Sequence, residues 1–183
     1  MTSRVLLKAF LAAAFVLLAA GGARAVNPEA VLAETPPRLL SAYGLFEDAR
    51  SQKPAPGVVL YRLNTPLFTD YAAKLRFVYM PEGSAAAYHE EEAFAFPVGT
   101  VLVKTFAYPA DFREPEANIR LIETRLMIRK PGGWVALPYV WNEDMTEAVL
   151  KKAGARVNVE TIHTSGRALS IDYRVPNVNQ CKG

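Results

Sequence analysis

Two histidines, one cysteine and a few clusters of carboxylates and aromatics are the residues of this chain with chemistry to offer. His89 opens the run His89-Glu90-Glu91-Glu92, a donor set that suits a divalent cation. No His-x-x-x-His or Cys-x-x-Cys spacing accompanies it or His163, so a solvated acidic loop is the better account of the run. Glu143 and Asp144 are adjacent carboxylates, the types used in pairs for acid and base work. Neighbours on a strand or loop diverge, which favours a charge pair at a hairpin end. There is no Gly-x-Ser-x-Gly elbow and no glycine-rich phosphate loop, and Cys181 has no histidine near it in sequence. With no catalytic constellation visible, the sequence argues against an enzyme. The densest aromatic group is Trp134, Tyr139 and Trp141. Tyr139 and Trp141 fall on one side of a strand and form the candidate contact face for a ligand or protein; core packing is the commoner role of such residues.

The elements that must position these residues read mainly as β-strands. Ile122, Thr124, Leu126 and Ile128 alternate with Glu123, Arg125 and Arg129, the period-2 pattern of a half-buried strand. Lys130-Pro131-Gly132-Gly133 is a turn, and Trp134 to Val140 returns as its partner. A second hairpin runs from Arg156 to His163, through Thr164-Ser165-Gly166-Arg167, and back over Leu169 to Val175. Earlier strands are expected over Val58–Tyr61, Arg76–Met80 and Val101–Phe106, where β-branched and aromatic residues are dense. Short helical turns are expected at Arg38–Phe46, with Gly44 as the stop, at Thr69–Lys74, and between the hairpins at Glu143–Lys152. Tight turns between successive strands imply antiparallel pairing, hence an antiparallel β-sandwich or open barrel with a few short helices. The organisation expected is a leader over 1–25, an N-terminal arm over 26–57, a β-rich domain over 58–176 and a tail over 177–183.

The leader is argued from order. Arg4 and Lys8 precede an apolar run from Ala9 to Ala20, and Ala23-Arg24-Ala25 closes it as a cleavage signal. The run is shorter than the ~20 apolar residues that span a bilayer. Cleavage after Ala25 delivers the chain to the periplasm or the extracellular space, with no membrane attachment afterwards. Removing Arg4, Lys8 and Arg24 from 21 basic residues leaves 18, against 18 acidic. A mature chain near neutrality makes no case for nucleic acid as partner, because phosphate binding needs clustered Lys and Arg. One cysteine excludes an internal disulfide, and Cys181 is expected to be exposed and free to pair between molecules in an oxidising compartment.

Cys181-Lys182-Gly183 stops two residues short of a Cys-x-x-Cys-His haem-attachment motif, whose thiols form thioethers and whose histidine ligates iron. Taken with Arg38-Leu39-Leu40-Ser41-x-Tyr43-Gly44-Leu45-Phe46, Leu63-Asn64-Thr65-Pro66-Leu67-Phe68-Thr69-Asp70-Tyr71-Ala72, Phe96 to Phe106, Glu123-Thr124-Arg125-Leu126, Pro138 to Asp144 and Arg174 to Lys182, the chain resembles the haem-free N-terminal region of exported diheme c-type cytochromes. The Gly-Thr-Val-Leu-Val-Lys-Thr-Phe and Trp-Asn-Glu-Asp segments are also similar to modules attached to exported quinoprotein-type dehydrogenases and cytochromes. The resemblance implies a haem site beginning at Cys181 and followed by cytochrome domains, so haem c belongs to the longer family members. Only Cys181 carries over, as half of an attachment site, and the chain as it stands implies no cofactor. The function implied is that of an accessory domain for cytochrome electron transfer, not redox active alone, with a cytochrome c domain or periplasmic redox protein as partner. The alternative is a stand-alone exported β-sandwich that binds a ligand or protein through Tyr139 and Trp141.

Overall fold

The computed structural model describes residues 25–65 and 67–181. The expected leader therefore lies outside the described residues, Ala25 apart, as do Lys182 and Gly183. The chain is mainly β and antiparallel. Its order is α1 (Pro28–Leu32), a 3₁₀ turn (Leu40–Tyr43), β1 (Phe46–Asp48), β2 (Lys53–Pro54), β3 (Val58–Tyr61), β4 (Ala73–Tyr79), β5 (Val101–Pro109), β6 (Ile119–Lys130), β7 (Gly133–Trp141), β8 (Ala148–Leu150), β9 (Ala155–Ile162) and β10 (Ala168–Val175). Strands β3 to β8 form one six-stranded meander in sequence order, and β1–β2 and β9–β10 are separate hairpins.

Each face of the six-stranded sheet has its own cover. Val101, Val103, Leu126, Ile128, Leu137, Tyr139 and Trp141 share a buried cluster with Val26, Val31, Leu40, Tyr43, Leu45 and Phe46. The segment expected as an N-terminal arm is thus one wall of the main core. It starts with α1, where the Asn27 side chain accepts from the amides of Glu29 and Ala30 and Pro28 sits in the first turn. Gly44 ends the 3₁₀ turn in the left-handed conformation, its N–H donating to the Ser41 carbonyl. The opposite face carries Phe106, Tyr108 and Ile122, which pack with Val159, Tyr173 and Val175 of the β9–β10 hairpin.

Three expectations change. Thr69–Lys74 forms a turn leading into β4, whose pairing begins at Ala73 opposite Ala107. Over Glu143–Lys152 there is no helix: Asn142 accepts from the amides of Thr146 and Glu147 and folds a tight turn, after which Val149 pairs with Val140. The strict alternation expected from Ile122 also fails. Phe106 pairs with Glu123 but Ala107 pairs with Leu121, so Ile122 is one residue too many for β5 to match. A bulge of this kind shifts the register and re-aims the side chains beside it. Ile122 joins the hairpin-side cluster, apart from Thr124, Leu126 and Ile128, and Glu123 is buried completely beneath that hairpin.

Buried tyrosines tie the layers together. Tyr139 donates to the Pro37 carbonyl at 2.8 Å, and its oxygen lies 3.0 Å from that of Tyr43. Tyr108 donates to the Asp70 carbonyl at 2.6 Å. Burial raises the pKa of Tyr43, Tyr108, Tyr139 and Tyr173 above the usual phenol value. A folded pKa above the unfolded value of about 10 means that the stabilisation is complete below pH ~10 and is lost as pH climbs beyond it. These four phenols are therefore expected to ionise only as the chain unfolds in alkali, so that part of the phenolate absorbance appears together with loss of β-sheet circular dichroism. Ionisation of all eight tyrosines in a still-folded chain would contradict the assignment.

Candidate functional site

Most of the chemistry-capable residues prove to be occupied locally. The Nδ1 of His89 accepts from the amides of Glu91 and Glu92, which closes the acidic loop on itself while the three glutamates stay exposed. His163 closes the β9–β10 turn through Ser165 and packs edge-on to Tyr71. Glu143 and Asp144 are exposed in the β7–β8 turn. Among the described residues, no three His, Cys, Asp or Glu side chains come together as metal ligands.

The contact face expected at Tyr139 and Trp141 needs correction. The two residues do share a side of β7, but it is the side covered by the N-terminal segment, and both are buried. Trp141 donates to the Thr124 hydroxyl at 3.0 Å, and Thr124 lies 2.8 Å from Thr105. Odd positions of β7 face the main core because Leu137, Tyr139 and Trp141 pack there together. Trp134, on the even side, is the aromatic left partly open, stacked edge-on against Phe96.

The site that the fold does assemble lies on that even side of the sheet, where the β9–β10 hairpin stops short. Glu123 and Arg125 project from adjacent positions of one face of β6. Arg125 donates from Nε to one Glu123 carboxylate oxygen at 3.0 Å and from Nη2 to the other at 2.5 Å. Tyr173, on β10, donates to the same carboxylate at 2.6 Å. The Glu123 side chain is fully buried and that of Arg125 is 26% exposed, so the guanidinium forms the solvent edge of an otherwise enclosed ion pair. Burial opposes the Arg125 charge, but the Glu123 pair outweighs it and raises the Arg125 pKa. Burial, then the Glu123 charge, pushes the Tyr173 phenol well above its usual range. Both effects hold the guanidinium charged and the phenol neutral at physiological pH.

Arg125 opens onto a cleft of about 260 Å³ lined by Tyr61, Leu102, Lys104, Met127, Ala136, Gln180 and Cys181. Cys181 reaches it because the tail is tied down. Val178 donates to the Lys152 carbonyl, Asn177 caps the amides of Asn179 and Gln180, and Cys181 donates to the Asn177 carbonyl. The thiol is free but half-buried, where an exposed one was expected. Burial raises its pKa, against the opposing pull of Arg125, so it remains a thiol at neutral pH. Thiolate is the reactive form. Alkylation of Cys181 in the folded chain is therefore expected to be slow at neutral pH and to accelerate on denaturation, and air oxidation of folded protein is expected to leave monomer on a non-reducing gel. Rapid dimerisation of the folded chain would contradict this burial.

The donor set of the cleft bears on the haem attachment that the sequence suggests. Among the described residues the cleft brings in one thiol, that of Cys181, while His89 and His163 are engaged elsewhere. Of the residues singled out in the sequence, Cys181 is the one that lies beside this site. Glu123 enters the sequence reading only on the outer face of a strand and within one resembling segment, and its pairing with Tyr173 carries no sequence signal, because only the bulge and the hairpin bring them together. Comparison with protein-family models, with curated proteins and with solved structures finds no match to this chain.

Proposed function

We propose that the chain is an exported accessory domain for c-type cytochrome electron transfer, which seats a haem-bearing partner and is not itself redox active. One observation carries the reading: the tail delivers Cys181, the start of the haem-motif resemblance, to the open face of the six-stranded sheet beside the Arg125 cleft. A haem-bearing domain adjoining Cys181 meets that face first. The face is suited to contact, since Val59 and Phe94 are more than half exposed and Trp134 and Phe96 stack at its rim. Aromatic anchors beside an arginine are the composition that protein interfaces favour.

The first test is the visible absorption spectrum and intact mass of the mature protein, produced in a host that matures c-type haem. The expected result is a colourless protein at the mass of the polypeptide cleaved after Ala25. A Soret band with an added haem mass would overturn the redox-inactive assignment. A polypeptide retaining residues 1–25 would overturn export by cleavage.

A further inference from the structure

Four strands of the six-stranded sheet place a row of residues side by side on the open face. Tyr61 pairs with Arg76, Arg76 with Lys104, and Lys104 with Arg125. Three adjacent cations, each directly opposite the next, are an arrangement that destabilises a sheet unless something compensates. Of the three, only Arg125 is hydrogen-bonded to the Glu123 carboxylate. Arg76 is 7% exposed, and its one side-chain hydrogen bond among the described residues is a long 3.4 Å donation to the Lys74 carbonyl. Lys104 makes no hydrogen bond or ion pair among the described residues, although it is half-buried with its ammonium 4.7 Å from the centre of the Phe106 ring. The Arg125 guanidinium stands 4.3 Å from the same ring, which holds both charges by cation–π attraction and leaves their outer sides toward the cleft. Burial lowers the Lys104 pKa, and the charges of Arg76, Arg125 and Lys74 lower it further, against the weaker opposing pull of Glu123. Arg76, Lys104 and Arg125 face one carboxylate, that of Glu123, so a net positive potential remains in a concave place, which is what concentrates an anion.

The neighbouring surface says what kind of anion. Tyr61 and Leu102 line both the cationic cleft and a second groove, of about 520 Å³, whose other walls include Val78, Met80, Phe94 and Phe96. Its lining is almost wholly apolar, and its size is within the range of small-molecule sites. We infer that the open face binds a small amphiphilic carboxylate, its head on Lys104 and Arg125 and its apolar body along Leu102, Val78 and Phe96. A bare anion leaves the groove empty; a neutral hydrophobe leaves the row uncompensated. The inference goes beyond the docking role and does not draw on any cytochrome partner, so the isolated folded chain suffices to test it.

Calorimetric titration of that chain with decanoate, decanol and inorganic phosphate separates the contributions. Decanoate is expected to bind roughly tenfold or more tightly than either of the others, because only it makes both the charge-assisted and the apolar contacts. Lys104→Gln, which removes a charge that no other described residue pairs with, is expected to reduce decanoate affinity toward that of decanol, Arg125 keeping part of the charge contact. Leu102→Ser is expected to reduce it toward that of phosphate. Unchanged melting temperatures for both variants keep the comparison interpretable, and amide shifts at Lys104 and Leu102 on decanoate addition locate the site should either variant be destabilised. No decanoate binding, equal binding by phosphate, or decanoate shifts away from this face would each overturn the inference. Failure of decanoate to bind leaves the docking proposal standing, since that is read separately by titration with a cytochrome domain.

Discussion

Glu123→Ala is expected to destabilise the folded chain by about 3–5 kcal/mol, the usual cost of stripping one partner from a buried ion pair. For a domain of this size that is a fall in melting temperature of roughly 10 °C or more. The magnitude follows from what stays behind: Arg125 loses both of its carboxylate contacts, and Tyr173 loses the acceptor at 2.6 Å. Glu123 is fully buried, so its loss strips the acceptor from the Tyr173 hydroxyl and from the inner side of the Arg125 guanidinium. Two companion variants separate pairing from packing. Glu123→Gln keeps the shape and an acceptor for Tyr173, and is expected to be less damaging than alanine. The double variant Glu123→Leu with Arg125→Met removes both charges, and is expected to be less destabilised than Glu123→Ala, since replacing a whole buried pair by apolar groups is often close to neutral. Thermal melts of these four proteins and of the single variants Glu123→Leu and Arg125→Met decide it. A double variant that costs as much as the sum of the two single changes would show that the network is not the coupled unit described.

Gly154→Ala is expected to detach the tail. Gly154 has φ +79°, and a Cβ there meets the Val175 carbonyl oxygen at 2.5 Å and the backbone of Pro176 and Asn177 at 3.1 Å. The left-handed strain costs about 1–3 kcal/mol for a residue with a side chain. The added contact is with backbone, which cannot swing aside as a side chain would. The segment that yields is 176–181, which is held by few hydrogen bonds beyond Val178 to Lys152. The expected readout is a rise of at least about tenfold in Cys181 alkylation rate, because the thiol leaves its half-buried position. Gly83→Ala is the control, having φ +72° but no atom within 4 Å of an added Cβ. It is expected to leave the thiol rate unchanged. Equal thiol rates in Gly154→Ala and the parent chain would mean that the tail does not depend on this close approach.

Much of the strand layout is legible in the sequence because the alternation and turn chemistry agree. Lys130 to Gly133 and Thr164 to Arg167 do turn the chain, and Gly44 does stop the turn before it. Helix α1 escapes a reading of the sequence although its signal is present: Asn27 as cap, Pro28 in the first turn and Glu29 at the positive end. Alanine- and proline-rich flanks obscure a helix of only five residues. Strand β8 looks helical in sequence because Glu143 to Lys152 has good helix formers; pairing with β7 overrides that preference. The candidate site is the least legible part. Nothing in Leu-Ile-Glu-Thr announces that Ile122 is the extra residue of a bulge, yet that one residue places Glu123 under Tyr173. Alternation correctly puts Tyr139 and Trp141 on one face, but it does not say which face a neighbouring segment will cover. The cation row is a register effect: Arg76, Lys104 and Arg125 lie far apart in sequence and meet only when three strands pair at these positions.

The accessory-domain account is tested most directly by an amide NMR titration of the mature chain with a purified diheme c-type cytochrome domain. The account predicts saturable shifts centred on Tyr61, Leu102, Lys104, Arg125 and Cys181, with the N-terminal wall around Leu32 and Leu39 unaffected. Shifts confined to that wall, or no shifts at any cytochrome concentration, would contradict it.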